Sequence, residues 1–119
     1  MVRSARPRLE DMRDHIDFLL RVGQEQTFED FRDGRVLRYA CQYAVLVIAE
    51  AANHLPTEMK ERAPEVPWPN IISIGHKLRH EYHRVDPEII WDIVQNHLLP
   101  LRDAVELLLA DEPSVTVIT

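Results

Sequence analysis

The chain has 119 residues, of which 45% are hydrophobic and 29% are charged, and its formal net charge at pH 7 is −6. This length and composition predict one globular domain over residues 1–119 that can bury a core of its own. The net negative charge disfavours non-specific binding of nucleic acid or membrane by the whole surface, so any anionic ligand requires a local positive patch.

The N-terminal residues and the single cysteine indicate the cellular setting. The first residues are charged and lack the apolar stretch of a signal peptide, and no window approaches the roughly eighteen apolar residues of a membrane span. Cys41 has no second cysteine to pair with and lies in an apolar run, which indicates a buried small hydrophobe. We therefore expect a cytoplasmic protein that has no membrane partner.

Apolar residues recur at helical spacing in the first part of the chain. A stripe of leucine, methionine and isoleucine predicts a first helix over residues 8–22. A short helix should follow, with Thr27 or Asp30 as its N-cap and with Phe28 and Phe31 pointing inward. This short helix would form a hinge between two long ones.

A second long helix is predicted over residues 35–54. Its stretch 39–52 is so apolar that it must be covered on more than one side, which is typical of the central helix of a bundle. Glu50 and Gln42 are the polar exceptions in this stretch. A carboxylate there costs free energy unless it is paired or faces an interface, and we interpret Glu50 as a hydrogen-bonded structural acid.

Prolines divide the second half of the chain. Pro56 begins a short helix, and three later prolines predict a stiff connection that is anchored by the indole of Trp68. A third long helix is expected over residues 70–85, and a fourth over residues 87–111 with a kink at Pro100.

The predicted fold is all-α: an up-and-down bundle of about four long helices with additional short ones. Residues 112–119 contain strand-like residues that have no partner strand, so we expect them to form a flexible tail or an intermolecular contact.

The segment 76–84 holds half of the six histidines together with three strong bases, in a chain that is otherwise acidic. A helical wheel over residues 71–85 separates two faces. The apolar face carries Ile71, Ile74, Gly75, Leu78, Tyr82 and Val85. The polar face carries His76, Arg79, His80 and His83 at spacings of three and four, so these side chains can converge on one ligand.

Three interpretations of this polar face compete. It could be a solvated surface without a function. It could bind a metal ion through His76 and His80 at spacing i, i+4, with His83 as a third ligand. It could also cleave RNA without a metal, with a histidine taking the 2′-hydroxyl proton and Arg79 stabilising the phosphorane. Because one helix offers limited surface for a strand of RNA, the third interpretation also predicts a homodimer.

The run from Trp68 to Asn96, which includes Leu-Arg-His-Glu-Tyr-His at 78–83, resembles the HepT-like branch of the HEPN superfamily. Three further elements are similar to family elements and extend the resemblance over nearly the whole chain. They are Phe28-Glu-Asp-Phe31, Ile48-Ala-Glu50-Ala and Leu98-Leu-Pro-Leu101.

This resemblance implies an all-α homodimer that acts as the ribonuclease toxin of a type II or type VII toxin–antitoxin system, with tRNA or mRNA as its substrate. The implied antitoxin is a nucleotidyltransferase of the MNT type, which silences the toxin by adding AMP to a tyrosine. His80 and Tyr82 match the His-x-Tyr part of the family's active motif, so the resemblance identifies Tyr82 as the modified residue.

The family's arginine does not match, because alignment on His80 places Gly75 at its position. Arg79, one helical turn from Gly75, is the only arginine nearby on the upstream side, and we assign it the contact to phosphate or to the transition state. His80 is then the proton-transfer residue, and no metal or other cofactor is expected. The supporting residues would be His76 and His83 as catalytic auxiliaries and Lys77 and Arg84 as RNA-binding residues.

The alternative hypothesis is a non-catalytic module. It would bind nucleotide or RNA through the same basic face and dock on a nucleotidyltransferase. The glycine at position 75 is the feature that favours this alternative.

Overall fold

The all-α prediction is confirmed. A computed structural model describes residues 4–112, and in this part of the chain it contains seven α-helices, one 3₁₀ turn and no β-strand. The helices are α1 (Arg6–Glu25), α2 (Phe28–Asp33), α3 (Arg35–His54), α4 (Thr57–Glu61), α5 (Trp68–Glu81), α6 (Pro87–Asn96) and α7 (Leu98–Asp111), and the 3₁₀ turn spans Tyr82–Arg84. The predicted flexible tail lies, from residue 113 onward, outside the described residues.

In the core α1 packs against α3 and α7, α5 packs against α3, and α6 contacts α1 and α3. The apolar stripe of α1 is fully buried, as its helical spacing predicts. Its members are Leu9, Met12, Ile16 and Leu19. None of the helices within residues 4–112 is long and apolar enough to cross a membrane.

A capping box begins α2. The Thr27 hydroxyl accepts a hydrogen bond from the Asp30 backbone N–H at 3.1 Å, and the Thr27 N–H donates to the Asp30 carboxylate at 3.0 Å. Phe31 is buried and stacks on Trp91 with ring centroids 5.4 Å apart, while Phe28 is half-buried against the same indole. The predicted short helix between two long ones is therefore confirmed, with Thr27 as its N-cap.

The bounds of α3 agree with those predicted, and α3 packs against both α1 and α5. Cys41 is buried in it, and desolvation raises the pKa of its thiol to about 11. Three large side chains of α3 nevertheless remain exposed: Val36 (83%), Tyr39 (49%) and Tyr43 (63%). We call the exposed surface that carries these three residues the α3 face.

Trp68 anchors the proline-rich connection, as predicted. Its indole N–H donates to the backbone oxygens of Lys60 and Ala63 at 3.1 and 3.0 Å, and its ring is buried. At this anchor α5 begins at Trp68, two residues earlier than predicted. Pro69 explains the earlier start, because proline is well suited to the first turn of a helix.

The prediction of one long helix kinked at Pro100 is wrong, since the chain breaks at His97 into α6 and α7. Pro100 has no N–H to donate to the carbonyl of Asn96, and its ring would clash with that carbonyl in a continuous helix. The chain therefore leaves the helix one residue after Asn96 and begins a new helix in which Pro100 occupies the first turn.

Candidate active site

A close contact between two helices holds α5 against the body of the protein. Gly75 is buried, and a Cβ atom built at this position would lie 2.5 Å from the Cβ of Ala49 on α3. Real Cβ atoms essentially never come this close, so the backbones of the two helices can approach only because residue 75 is a glycine. Position 75, where the resemblance led us to expect an arginine, therefore serves packing in this chain.

Beside this contact, α5 presents a polar face to solvent. His76, Arg79 and His80 are exposed there at spacings of three and four residues, which places their side chains on one surface. The predicted grouping of these three residues is confirmed. We call this surface, defined by His76, Arg79 and His80, the α5 face.

The predicted continuation of the helix to residue 85 is wrong. The α-helix ends at Glu81, and Tyr82–Arg84 form a 3₁₀ turn. Pro87 explains this ending, because it holds Asp86 in an extended conformation (φ −63°, ψ 136°) and the chain must leave the helix before that residue. Val85 still returns to the core.

Two predicted residues lie in this tighter turn. Tyr82 does not join the buried apolar stripe, since 55% of it is exposed. His83 packs edge-on against the Tyr82 ring, with the ring centroids 5.6 Å apart, and does not continue the α-helical register of His76 and His80. The α-helical register that the prediction assumed for His83 therefore ends at Glu81, and the catalytic role of His83 stays a prediction.

Tyr82 lies beside the α3 face. Together with Tyr39, Tyr43 and Leu78 it borders a shallow depression of about 290 Å³. The exposed ring of Tyr82 lies at the edge of this depression, next to the end of the α5 face. The hydroxyl-bearing side chain is thus accessible, which a modification of this residue requires.

Arg79 has a partner that the sequence did not identify. Its Nη2 contacts Oε1 of Glu50, the acidic residue within the apolar stretch of α3. About half of the Arg79 side chain remains exposed, whereas 31% of the Glu50 side chain does. The interpretation of Glu50 as a paired acid is supported, and its partner is the arginine that we assigned to the phosphate.

The two remaining predicted bases lie at the margins of the α5 face. Lys77 is exposed and faces a groove between α5 and α6 that Ile74 and Ile93 also line. Arg84 is exposed in the 3₁₀ turn and lies 3.7 Å from Glu81, a weak surface ion pair. Both bases add positive charge around the α5 face, although neither contacts its three residues.

The metal-site interpretation uses His76 and His80, with His83 as a possible third ligand. Within residues 4–112 no group of three histidine, cysteine or acidic side chains is arranged so that it could hold a metal ion.

Comparisons with known proteins agree on one family. Residues 12–108 match the family described as Ribonuclease HepT-like. A protein from Caldanaerobacter subterraneus subsp. tengcongensis, named as a candidate RNase, is 33% identical over 93% of this chain and 99% of its own length. A protein from Thermococcus cleftensis, named as a candidate ribonuclease HepT, is 32% identical over 91% of this chain and 98% of its own. No solved structure matches the chain.

Proposed function

Because this chain belongs to the HepT-like ribonuclease family, we propose that it is a metal-independent endoribonuclease whose active site is the α5 face. The observation that carries the proposal is the side-by-side exposure of Arg79 and His80 on a helix that the Gly75 contact holds in place. An imidazole supplies proton transfer near neutral pH, and a guanidinium supplies charge for a phosphate.

The proposed reaction begins when His80 removes the proton from a ribose 2′-hydroxyl. The 2′-oxygen then attacks the neighbouring phosphorus, and Arg79 stabilises the negative charge that develops on the phosphorane oxygens. The bond from phosphorus to the 5′-oxygen breaks, and an acid donates a proton to that leaving oxygen. The products are a 2′,3′-cyclic phosphate and a 5′-hydroxyl end.

The neighbouring bases have supporting roles in this proposal. His76, one helical turn before His80, is the first candidate for the acid that protonates the leaving oxygen, and His83 is the second. Lys77 and Arg84 would contact RNA phosphates on either side of the cleaved bond. These bases form a local positive patch on a chain whose net charge is −6.

Incubation of the purified protein with total RNA and with a tRNA pool in excess chelator tests the proposal. We expect cleavage that is unaffected by chelator and products that carry cyclic phosphate ends. If the folded protein leaves both RNA pools intact, or if a chelator abolishes cleavage, the proposal is wrong.

We further propose that the protein is a homodimer that pairs through the α3 face. Val36, Tyr39 and Tyr43 leave a large apolar surface exposed, and such patches commonly mark protein interfaces. Pairing there would bring two α5 faces toward one groove, because Tyr82 borders the same surface. The mass in solution should then be twice that of the chain, and a monomer at micromolar concentration would contradict the pairing.

The biological setting that we propose is a toxin–antitoxin system in which a nucleotidyltransferase of the MNT type silences the ribonuclease. Its target would be Tyr82, whose exposed side chain meets the requirement for modification. The Tyr82 hydroxyl oxygen would attack the α-phosphate of ATP and release pyrophosphate, leaving AMP on the tyrosine. A mass increase of one AMP that is lost in Tyr82→Phe would support this assignment.

A second candidate function is a non-catalytic module that binds nucleotide or RNA and docks on such a nucleotidyltransferase. It is favoured by Gly75, since the residue aligned with the family's arginine has no space for any side chain. This candidate predicts RNA binding without cleavage in the same incubation.

A further inference from the structure

Glu50 is the only acidic residue in the sequence of α3, and its neighbours Ala49 and Ala51 are buried. A carboxylate in such surroundings loses part of its hydration, and its position is favourable only if a partner compensates for that loss. The guanidinium of Arg79 is this partner. The pair joins two helices whose residues are far apart in sequence, so it does not arise from helical spacing.

A contact between the two helices lies next to this ion pair. Ala49, adjacent to Glu50, packs on Gly75, and Gly75 lies one helical turn before Arg79. A close contact between α3 and α5 therefore lies beside the ion pair. This contact limits the positions that the Arg79 guanidinium can take while it contacts Glu50.

The contact occupies only part of the donor capacity of Arg79. The Glu50 carboxylate is contacted by Nη2, and within residues 4–112 the Arg79 side chain has no other hydrogen bond or ion pair. A guanidinium has five N–H donors, so Nε and Nη1 can still donate to an anion while Nη2 is held. About half of the side chain is exposed, which leaves these donors accessible from the α5 face.

From these contacts we propose that Glu50 is a positioning residue of the ribonuclease: it holds the Arg79 guanidinium beside His80, so that the free donors meet the phosphorane. This inference rests on the proposed function. An unpaired arginine side chain samples many rotamers, and each turnover would then have to order it. The negative charge of Glu50 also opposes RNA phosphate, so its removal should not weaken RNA binding.

Steady-state cleavage by Glu50→Gln, which keeps the shape of the side chain and removes its charge, tests the inference. We expect kcat to fall about 10- to 100-fold, because a small displacement of a catalytic group has effects of this size. KM for RNA should stay the same or decrease. Glu50→Asp, which restores the charge on a shorter side chain, should recover part of the lost kcat.

Glu106→Gln is the matched control. Glu106 forms a comparable interhelical surface ion pair with Arg13, at 3.6 Å, on α7 and away from the α5 face. The Glu106→Gln protein should cleave RNA with the kcat of the wild type. In an Arg79→Ala background, Glu50→Gln should cause no further loss, because Glu50 acts through Arg79.

These variants distinguish an error in the positioning role of Glu50 from an error in the proposed function. If the wild type cleaves RNA and Glu50→Gln retains its kcat, the positioning role is wrong while the ribonuclease stands. A loss of kcat that appears equally in the Arg79→Ala background, or that follows a loss of folded protein in thermal melts, would also overturn the role. If the wild type does not cleave RNA, the proposed function and this inference fail together.

Discussion

The Gly75→Ala protein is expected to unfold with a free energy about 1–3 kcal/mol below that of the wild type, the usual range for an overpacked core. The added methyl carbon would lie 2.5 Å from the Cβ of Ala49. Ala49 has no rotatable side chain that could move aside, so α3 and α5 must separate. Urea denaturation followed by circular dichroism measures the difference.

Two further variants make this prediction specific. Ser73→Ala changes an exposed residue of the same helix and should stay within about 0.5 kcal/mol of the wild type. Ala49→Gly removes the atom that the new methyl group meets. The double variant Ala49→Gly, Gly75→Ala should therefore lose less free energy of unfolding than the two single variants lose together. A Gly75→Ala protein as stable as the wild type would show that the two helices are not in close contact.

The second large effect is expected at the α5 face. His80→Ala should lower kcat for RNA cleavage about 10²- to 10⁴-fold, the range for loss of a general acid or base. Arg79→Ala should lower it about 10²- to 10³-fold, as does removal of one donor to a developing oxyanion. Both residues are exposed, so His80→Ala should lower the free energy of unfolding by no more than about 0.5 kcal/mol. Arg79→Ala should lower it by no more than about this amount in addition to the contribution of the Glu50 ion pair.

A histidine elsewhere on the surface provides the control. His97 is exposed at the junction of α6 and α7 and pairs with Asp92 at 3.0 Å, away from the α5 face. His97→Ala should retain wild-type kcat. Equal rates for wild type, His80→Ala and Arg79→Ala would remove both residues from the active site.

The helices follow closely from the sequence where the determinants are local. The apolar spacing of α1, the Thr27 capping box and the bounds of α3 are properties of short stretches, and all agree with prediction. The family resemblance, carried by quoted motifs over most of the chain, agrees with the match over residues 12–108.

The differences arise where a proline acts at a distance of several residues. Pro100 ends the preceding helix at Asn96, four residues earlier, and Pro87 converts the end of α5 into a 3₁₀ turn. A helical wheel assumes a constant register, which holds in α5 only as far as Glu81. The proline positions themselves are visible in the sequence and could have indicated both breaks.

The relation between α3 and α5 was beyond the reach of sequence reasoning. Gly75 meets Ala49, and Arg79 meets Glu50, across residues that are distant in the chain. The only signal for the second contact is a lone acid in an apolar stretch, which predicts a partner without identifying it. The role of Gly75 as a packing residue likewise depends on tertiary structure.

The proposed reaction is tested with an RNA oligonucleotide in which one ribose at the mapped cleavage site is replaced by deoxyribose, in excess chelator. We expect the all-ribose strand to be cut there to a 2′,3′-cyclic phosphate and a 5′-hydroxyl, and the substituted strand to stay intact at that bond. If the substituted strand is cut at the same bond, the proposed reaction is wrong, because His80 would then have no 2′-hydroxyl proton to remove.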